Sequence, residues 1–294
     1  MVGAKKVRKF GFLNGAAAAC SYGLNPLFSL PLFALGFSVN SVLFYRYAIA
    51  VVIYKILLMF KGDIDYRVSR KEINCLLYLG IMFTLSSVTL FTSFNYIASG
   101  VACTILFVYP VIVACIMAIF FKEKVTKTTV ISVVVALTGI FLLNSSFDKN
   151  AISKVGLFYI LLSALSYALY MVGIRTIKTV KKMHSDKITF YVMCVSVLFY
   201  YVMLNFGVDL QPVSGIKEWV CVLGLAIVPT IISLETINIA IKIIGATKTA
   251  ILGALEPLTA VLIGTLIFKE QFSLSIGVGI ICVLSGVTLT VLKK

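Results

Sequence analysis

The 294-residue chain is 61% hydrophobic and 13% charged, with a mean hydropathy of +1.07. Soluble domains carry about 25% charged residues, so this composition excludes a soluble globular protein and places most of the chain in a lipid bilayer. The formal net charge of +15 arises from short basic clusters between apolar runs. Such clusters are typical of loops beside anionic lipid, so we expect no nucleic-acid partner.

Ten apolar segments are long enough to cross a bilayer as helices, which takes about 20 residues. We call them spans one to ten, and in chain order they cover residues 10–33, 38–60, 73–96, 99–121, 126–146, 154–175, 187–208, 217–240, 245–268 and 273–292. The basic N-terminus resembles a signal peptide, but the run that follows is long enough to span, and we expect it to be retained. The connections are too short to hold a soluble domain.

The distribution of lysine and arginine predicts the orientation of these spans. With the N-terminus inside, 20 of the 26 basic residues fall in inner segments, 4 in outer connections and 2 within span two. Cytoplasmic loops are enriched in lysine and arginine, so both termini are predicted to be cytoplasmic.

The second half of the chain echoes the first. VYPVIVACIMAIFFKEKVT (108–126) aligns with LEPLTAVLIGTLIFKEQFS (255–273), which places Pro110 on Pro257. Gly139 falls on Gly286 in the same register. Each half holds five spans, an odd number, so residues 1–147 and 148–294 are predicted to form two inverted repeats. Inverted repeats are characteristic of secondary transporters, whose substrate site lies between the repeats near the midplane.

Two of these segments also resemble a known family. EPLTAVLIGTLIFKE (256–270) and YPVIVACIMAIFFKE (109–123) are similar to the repeat motifs of EamA-type carriers in the drug/metabolite transporter superfamily. The resemblance implies an all-α fold of ten transmembrane helices and transport of amino acids, sugars, drugs or other metabolites. For bacterial members it often implies export across the inner membrane. Related small multidrug carriers exchange protons through a glutamate in their first helix, but spans one and six contain no acidic residue.

Arg46, Glu235 and Glu256 lie well inside predicted spans, where a charge at the centre costs about 2.5–3.5 kcal/mol, whereas Lys55 and Lys248 lie closer to the inner ends. Glu256 adjoins Pro257, and either stabilises the bend as a protonated carboxyl or contacts substrate or a coupling proton. For Glu235 we favour a structural or gating role. For Arg46 we favour snorkelling, or pairing with a backbone or acidic group, over contact with substrate.

Hydroxyl, amide and aromatic side chains recur on several spans at spacings that place them on shared helix faces. Small polar residues often mediate helix packing in membranes, but their convergence on one midplane favours a substrate cavity. The predicted lining residues, together with Glu256, are Tyr22, Asn25, Thr84, Ser87, Asn95, Tyr109, Ser163, Ser166, Tyr167, Tyr170, Ser233 and Asn238.

Other functional classes find little support in the residues. The seven cysteines lie in or beside apolar runs without a CxxC pair, so we expect small buried hydrophobic residues rather than disulfides or metal ligands. The single histidine, His184, has no ligand partners at useful spacing, and we expect neither metal nor cofactor. An integral-membrane enzyme acting on lipid or isoprenoid is the alternative, but its usual acidic and histidine motifs are missing. A scaffold or receptor is a further alternative.

The sequence thus predicts a secondary transporter of small metabolites such as amino acids that works by alternating access, and the resemblance implies export across the inner membrane. Its partners would be a small-molecule substrate, the lipid bilayer and protons as a candidate coupling ion. The alternatives of a monomer and a homodimer stay open.

The predicted topology has a direct test. Reporter fusions after Lys71, Lys127, Lys182 and Lys294 should report the cytoplasmic side, and a fusion after Lys149 should report the outside, because each half has an odd number of spans. The same side for the Lys149 and Lys294 fusions would contradict the inverted-repeat topology.

Overall fold

The computed structural model describes residues 2–61, 67–97, 99–143, 153–266 and 274–292. Those residues form α-helices joined by short turns, and no strand occurs among them, so the predicted all-α class is confirmed. The Lys269-Glu270 dipeptide of the second repeat motif and Lys149 lie outside the described residues.

We number the α-helices in chain order. They are α1 (Val2–Tyr22), α2 (Asn25–Ala34), α3 (Val39–Lys61), α4 (Arg70–Ser93), α5 (Ser99–Leu106), α6 (Tyr109–Phe121), α7 (Lys127–Leu143), α8 (Lys154–Thr176), α9 (Lys178–Lys182), α10 (Ser185–Met203), α11 (Ile216–Ala226), α12 (Ser233–Ile244), α13 (Ala246–Leu252), α14 (Leu255–Leu266) and α15 (Leu274–Leu292).

Six helical segments within the described residues are long and apolar enough to cross a membrane. They are Val39–Lys61, Arg70–Ser93, Lys154–Thr176, Ser185–Met203, Ile216–Ile244 and Ala246–Ile263. Shorter apolar helices include Tyr109–Phe121, Lys127–Leu142 and Gly277–Val291. The chain is therefore a multi-pass membrane protein, and the full count of ten spans stays a prediction.

Three predicted spans are interrupted where the sequence analysis treated them as continuous. Span one divides into α1 and α2, span four into α5 and α6, and span nine into α13 and α14. Each break lies just before Pro26, Pro110 or Pro257. Proline has no N–H to donate and clashes with the preceding turn, which explains the position of each break. At span nine the Gly253 carbonyl instead accepts the N–H of Glu256 at 2.9 Å.

Span eight accommodates its proline differently. Residues Ile227–Ile232 form a π-helical turn between α11 and α12, with Pro229 inside it. The missing proline N–H would have bonded the Leu225 carbonyl, and the Thr230 hydroxyl donates to that carbonyl at 2.7 Å. Side-chain hydroxyls commonly satisfy carbonyls that proline frees in membrane helices, so the helix continues without a break.

The two halves pack through reciprocal helix pairs. Extensive contacts join α4 with α8, which belong to spans three and six, and α1 with α12, which belong to spans one and eight. If each span of one half is replaced by its counterpart in the other half, the first pair becomes the second. The extensive α3–α10 and α7–α15 contacts join spans that are each other's counterparts, namely two with seven and five with ten.

Aligned glycines sit at equivalent places in this packing. A Cβ at Gly139 would lie 2.7 Å from the backbone nitrogen of Val283, and one at Gly286 would lie 2.8 Å from the carbonyl oxygen of Ser132. Glycine at both positions therefore lets α7 and α15 approach closely, as small residues do in membrane helix pairs.

Candidate functional site

A small cavity lies where α1 and α8 meet α6, α12, α13 and α14. Its volume is about 10 Å³, which is enough for about one water molecule. It is lined by Gly15, Ala18, Ala19, Tyr22, Tyr109, Tyr167, Ile237, Thr249, Gly253 and Glu256. The structure is therefore closed around this point, and no ligand larger than water fits without an opening of the helices.

Glu256 is the one acidic residue in this lining. It lies in the first turn of α14, directly after the break in span nine, and is only 6% exposed. Within the described ranges, no cation and no hydrogen-bond donor is paired with its carboxyl. A helix N-terminus favours a negative charge, but that effect is worth only about 0.3–1 kcal/mol in exposed settings and up to about 2 kcal/mol when partly buried. A buried carboxylate needs more than this, so the site suits a proton or a bound cation.

Tyrosine rings form much of the cavity wall. Tyr22 stacks on Tyr167 with 6.3 Å between ring centroids, and Tyr109 meets Tyr167 edge-on at 4.9 Å. Tyr167 also stacks on Tyr170 at 6.3 Å. Tyrosine presents both an apolar ring and a hydroxyl, so this cluster can enclose a molecule that has apolar and polar parts.

Gly253 fits against Tyr109 at the break in span nine. A methyl group at Gly253 would overlap the Tyr109 hydroxyl and would lie 2.8 Å from the Cζ atom of that ring. Glycine is therefore required for the tyrosine to reach over the broken helix towards the cavity.

The structure brings four predicted lining residues together at this cavity: Tyr22, Tyr109, Tyr167 and Glu256. Ser166 on α8 and Asn25 on α2 are also buried, but they do not line the cavity. Asn95 lies in the turn after α4, is exposed and does not line the cavity.

The remaining predicted lining residues make hydrogen bonds that mostly join helices. Thr84 bonds Ser196 at 2.7 Å, Ser87 bonds Tyr47 at 2.7 Å, Ser163 donates to the Ser86 carbonyl at 2.8 Å, Tyr170 donates to Asn238 at 2.6 Å, and Ser233 donates to the Ala18 carbonyl at 3.0 Å. In this closed form their polar groups stabilise helix packing.

Arg46 is fully buried on α3 and does not snorkel, which corrects one of the two expectations for it. Its Nε donates to the Thr230 hydroxyl at 2.6 Å and its Nη2 donates to the Pro229 carbonyl at 2.9 Å. Arg46 thus pairs with the backbone and the Thr230 hydroxyl of the π-helical turn, which agrees with the second of the expected alternatives, and no acidic residue in the described part of the chain pairs with it.

Glu235 belongs to a separate cluster of charges at the predicted cytoplasmic end. Lys61 lies 2.6 Å from Glu235 and 3.2 Å from Asp186, and His184 lies 3.0 Å from Asp186. These contacts tie α3 of the first half to α10 and α12 of the second half. A hollow of about 480 Å³, lined in part by Phe10 and the same charged residues, opens beside them.

Several residues of the two clusters were not anticipated from the sequence. Ala18, Ile237 and Thr249 line the cavity, but small or apolar residues give no chemical signal in an apolar chain. Lys61 and Asp186 lie next to the ends of predicted spans, where charged residues are common. Their sequence positions therefore gave no sign of a cluster, which is visible only from their contacts in the structure. The cysteine expectation also needs correction, since Cys20 and Cys115 are exposed, although all seven cysteines are free.

Comparison with known proteins agrees with this arrangement. A sequence model of the EamA-like transporter family matches residues 9–145 and again residues 154–292. The chain belongs to the EamA-like transporter family. A crystal structure of a protein superimposes on this EamA-like chain with a TM-score of 0.76 over 95% of both chains, at 14% identity, which shows likeness of fold alone.

Curated relatives of this EamA-like protein carry the name transporter without a substrate. An uncharacterized transporter of Archaeoglobus fulgidus is 28% identical over 64% of this chain and 65% of its own length, just under two thirds. The uncharacterized transporters YxxF and YyaM of Bacillus subtilis are 22% and 24% identical, over 77% and 80% of this chain and 72% and 79% of their own lengths.

The contact between Gly253 and Tyr109 yields a prediction about the site. Gly253→Ala should lower the thermal stability of the purified protein, because overpacking of this kind costs about 1–3 kcal/mol. Adding Tyr109→Phe should restore part of the loss by removing the hydroxyl. Gly215→Ala is the control, since its nearest neighbours are 3.3 Å or more away on the side chain of Glu218. Equal stability of the Gly253→Ala and Gly215→Ala proteins would contradict the close fit.

Proposed function

We propose that the protein is a secondary transporter that exports small metabolites such as amino acids across the inner membrane. Residues 1–147 and 148–294 would form two inverted five-helix repeats that alternate access to a site between them, with both termini cytoplasmic. Membership of the EamA-like family supports a transporter rather than an enzyme. The reciprocal packing of the two halves supports the duplicated architecture.

The observation that carries the proposal is the carboxyl of Glu256, which has no partner among the described residues and lies in a closed cavity between the halves. The cavity joins α1 and α6 of the first half to α8 and α14 of the second half. A buried acidic group that faces a cavity rather than lipid is usually part of a substrate or ion pathway. Here it would bind the ammonium group of a substrate, or exchange a proton for it.

The substrate would reach this point through the wider set of predicted lining residues. The tyrosines already surround Glu256, whereas the hydroxyl and amide groups are engaged between helices in the closed form. As the halves separate, those interhelical hydrogen bonds would be replaced by contacts with substrate or water. The exchange costs little if each polar group keeps one partner.

Replacement of Glu256 tests this role. Glu256→Gln keeps the size of the side chain and removes its charge, so transport of a panel of labelled amino acids in proteoliposomes should be lost or become independent of pH. Membrane abundance should stay normal, because the carboxyl makes no hydrogen bond with the residues that the structure describes. Glu123→Gln, at an exposed position, is the matched control.

Glu256→Leu separates the functional role from a structural one. If the carboxyl only stabilises the bend at Pro257, the Gln variant should transport normally while the Leu variant fails to accumulate. Wild-type rates and wild-type pH dependence in a well-folded Glu256→Gln protein would exclude a functional role for this residue.

The charge cluster around Lys61 would act as the cytoplasmic gate, with Glu235 as its partner on the second half. Lys61 is half exposed, and exposed ion pairs are worth about 0–1 kcal/mol each. Such a weak, salt-sensitive contact can hold two halves together and still open during each cycle.

Lys61→Met should therefore favour the state that is open to the cytoplasm. In inside-out vesicles, a cysteine introduced at Thr249 in the cavity should react several-fold faster with a water-soluble maleimide, in a background without the seven native cysteines. Lys154→Met, at the predicted outer end, is the control. No change in the labelling rate, with the reagent shown to reach Thr249→Cys in the wild-type background, would exclude a gate at Lys61.

A further inference from the structure

Arg46 carries a buried positive charge that is only partly compensated. The residue is 0% exposed, and its Nε and Nη2 atoms bond the Thr230 hydroxyl and the Pro229 carbonyl. Its Nη1 atom is buried and has no partner, and no carboxylate pairs with the guanidinium among the described residues. A buried charge held by neutral dipoles alone is costly, since its lost hydration free energy is offset well only by a counter-ion.

Three aromatic rings lie close to the guanidinium. Its Cζ atom lies 5.8 Å from the ring centroid of Tyr22, 5.2 Å from that of Tyr47 and 5.6 Å from that of Phe91. Aromatic faces attract a cation but supply no hydrogen-bond acceptor. Tyr22 ends α1, and Phe91 packs against Phe33 of α2 at 6.1 Å. The guanidinium therefore lies alongside the broken span one.

Two further buried polar groups without partners lie on α2. Neither the amide nitrogen nor the amide oxygen of Asn25 has a hydrogen-bond partner, and the same is true of the Ser29 hydroxyl. Asn25 and Ser29 are four residues apart, so they share one face of α2. Both are almost fully buried. A buried polar group without a partner destabilises the fold unless a ligand supplies that partner.

The helix break adds to the same preference. Asn25 is the first residue of α2, whose first N–H groups have no partner within the helix. The N-termini of discontinuous membrane helices carry partial positive charge and favour anionic groups of substrates. The donors here are the guanidinium Nη1, the amide of Asn25 and the hydroxyl of Ser29, a set that suits a carboxylate.

We propose that Arg46, with Asn25 and Ser29, binds the carboxylate of the substrate, and that the substrate class is therefore zwitterionic. This rests on the proposed function, in which Glu256 binds the ammonium group. Tyr22 contacts Arg46 and also lines the Glu256 cavity, so the two charge sites share one wall. An amino acid or short peptide would neutralise both buried charges at once, whereas an amine or an acid would neutralise only one.

Blocked derivatives test the two ends of the ligand separately. The probes are free amino acids of apolar, polar and acidic type, each also offered as its methyl ester and its N-acetyl form. Binding is followed as thermal stabilisation of the purified protein, and transport as flux in proteoliposomes. The wild type should bind a free amino acid at least about tenfold more tightly than its ester, since hydrogen bonds to charged groups are lost with the carboxylate.

Variants assign the discrimination to residues. Asn25→Ala should weaken binding of the free acid and leave the ester unchanged, and it should fold, because the amide makes no hydrogen bond in the closed form. Arg46→Gln should abolish the preference for the free acid over the ester. Arg46→Lys should keep part of it. Glu256→Gln should instead abolish the preference for the free amine over the N-acetyl form. Arg175→Gln, on the cytoplasmic end of α8, is the control.

The outcomes distinguish this inference from the proposed function. If flux occurs but esters and free acids bind the wild type equally, the carboxylate site is wrong and the transporter stands. An unchanged preference in both Asn25→Ala and Arg46→Lys also overturns the site, whether or not Arg46→Gln folds. If amino acids bind with the predicted preference but no flux occurs, the transport function fails and the site stands. No binding of any probe overturns the zwitterion proposal.

Discussion

A bilayer offers no water to a polar group, and this constraint governs how the chain folds around its prolines. Pro229 leaves the Leu225 carbonyl without its usual donor, and the Thr230 hydroxyl takes that place. Arg46 in turn donates hydrogen bonds to the Thr230 hydroxyl and to the Pro229 carbonyl. A proline in one half is thus compensated by a side chain from the other half. The same interaction that repairs the helix also buries a cation beside the break in span one.

Several polar groups without partners among the described residues lie at or beside these discontinuities, although Ser132 on α7 and Thr247 on α13 also lack partners. Glu256 follows the break in span nine, and Asn25 follows the break in span one. Most other polar side chains of the central helices, such as Ser163 and Asn238, have partners between helices. A fold selected only for stability would have replaced the exceptions by apolar residues, because buried ionic groups seldom add net stability. Their position points to ligand binding as the reason for their presence.

The sequence predicts the class of fold because length and hydropathy are strong signals, and it predicts Glu256 because a carboxyl beside a proline stands out in an apolar run. Tyr22, Tyr109 and Tyr167 could be proposed from helix faces. A bend at Pro257 was predicted, but the breaks before Pro26 and Pro110 were not, since a proline ends some membrane helices and is accommodated within others, as Pro257 and Pro229 show. Nor can a sequence distinguish the hydroxyl of Ser163, used in packing, from a hydroxyl that awaits a ligand, because the difference lies in tertiary neighbours.

The closed structure also constrains how a substrate could act. A cavity of about 10 Å³ excludes any metabolite, so substrate can bind only to conformations in which the halves have moved apart. A ligand shifts the equilibrium between closed and open states by the difference in its affinity for the two states. Here the closed state has no affinity for the substrate, so binding can only favour the open states. The Lys61–Glu235 pair opposes opening by little, since ion pairs near the surface contribute about 0–1 kcal/mol. Pairing of the substrate with Glu256 and Arg46 contributes more to the shift. A ligand that pairs with a buried charge adds a contact and also removes the unfavourable free energy of burying that charge without a counter-ion.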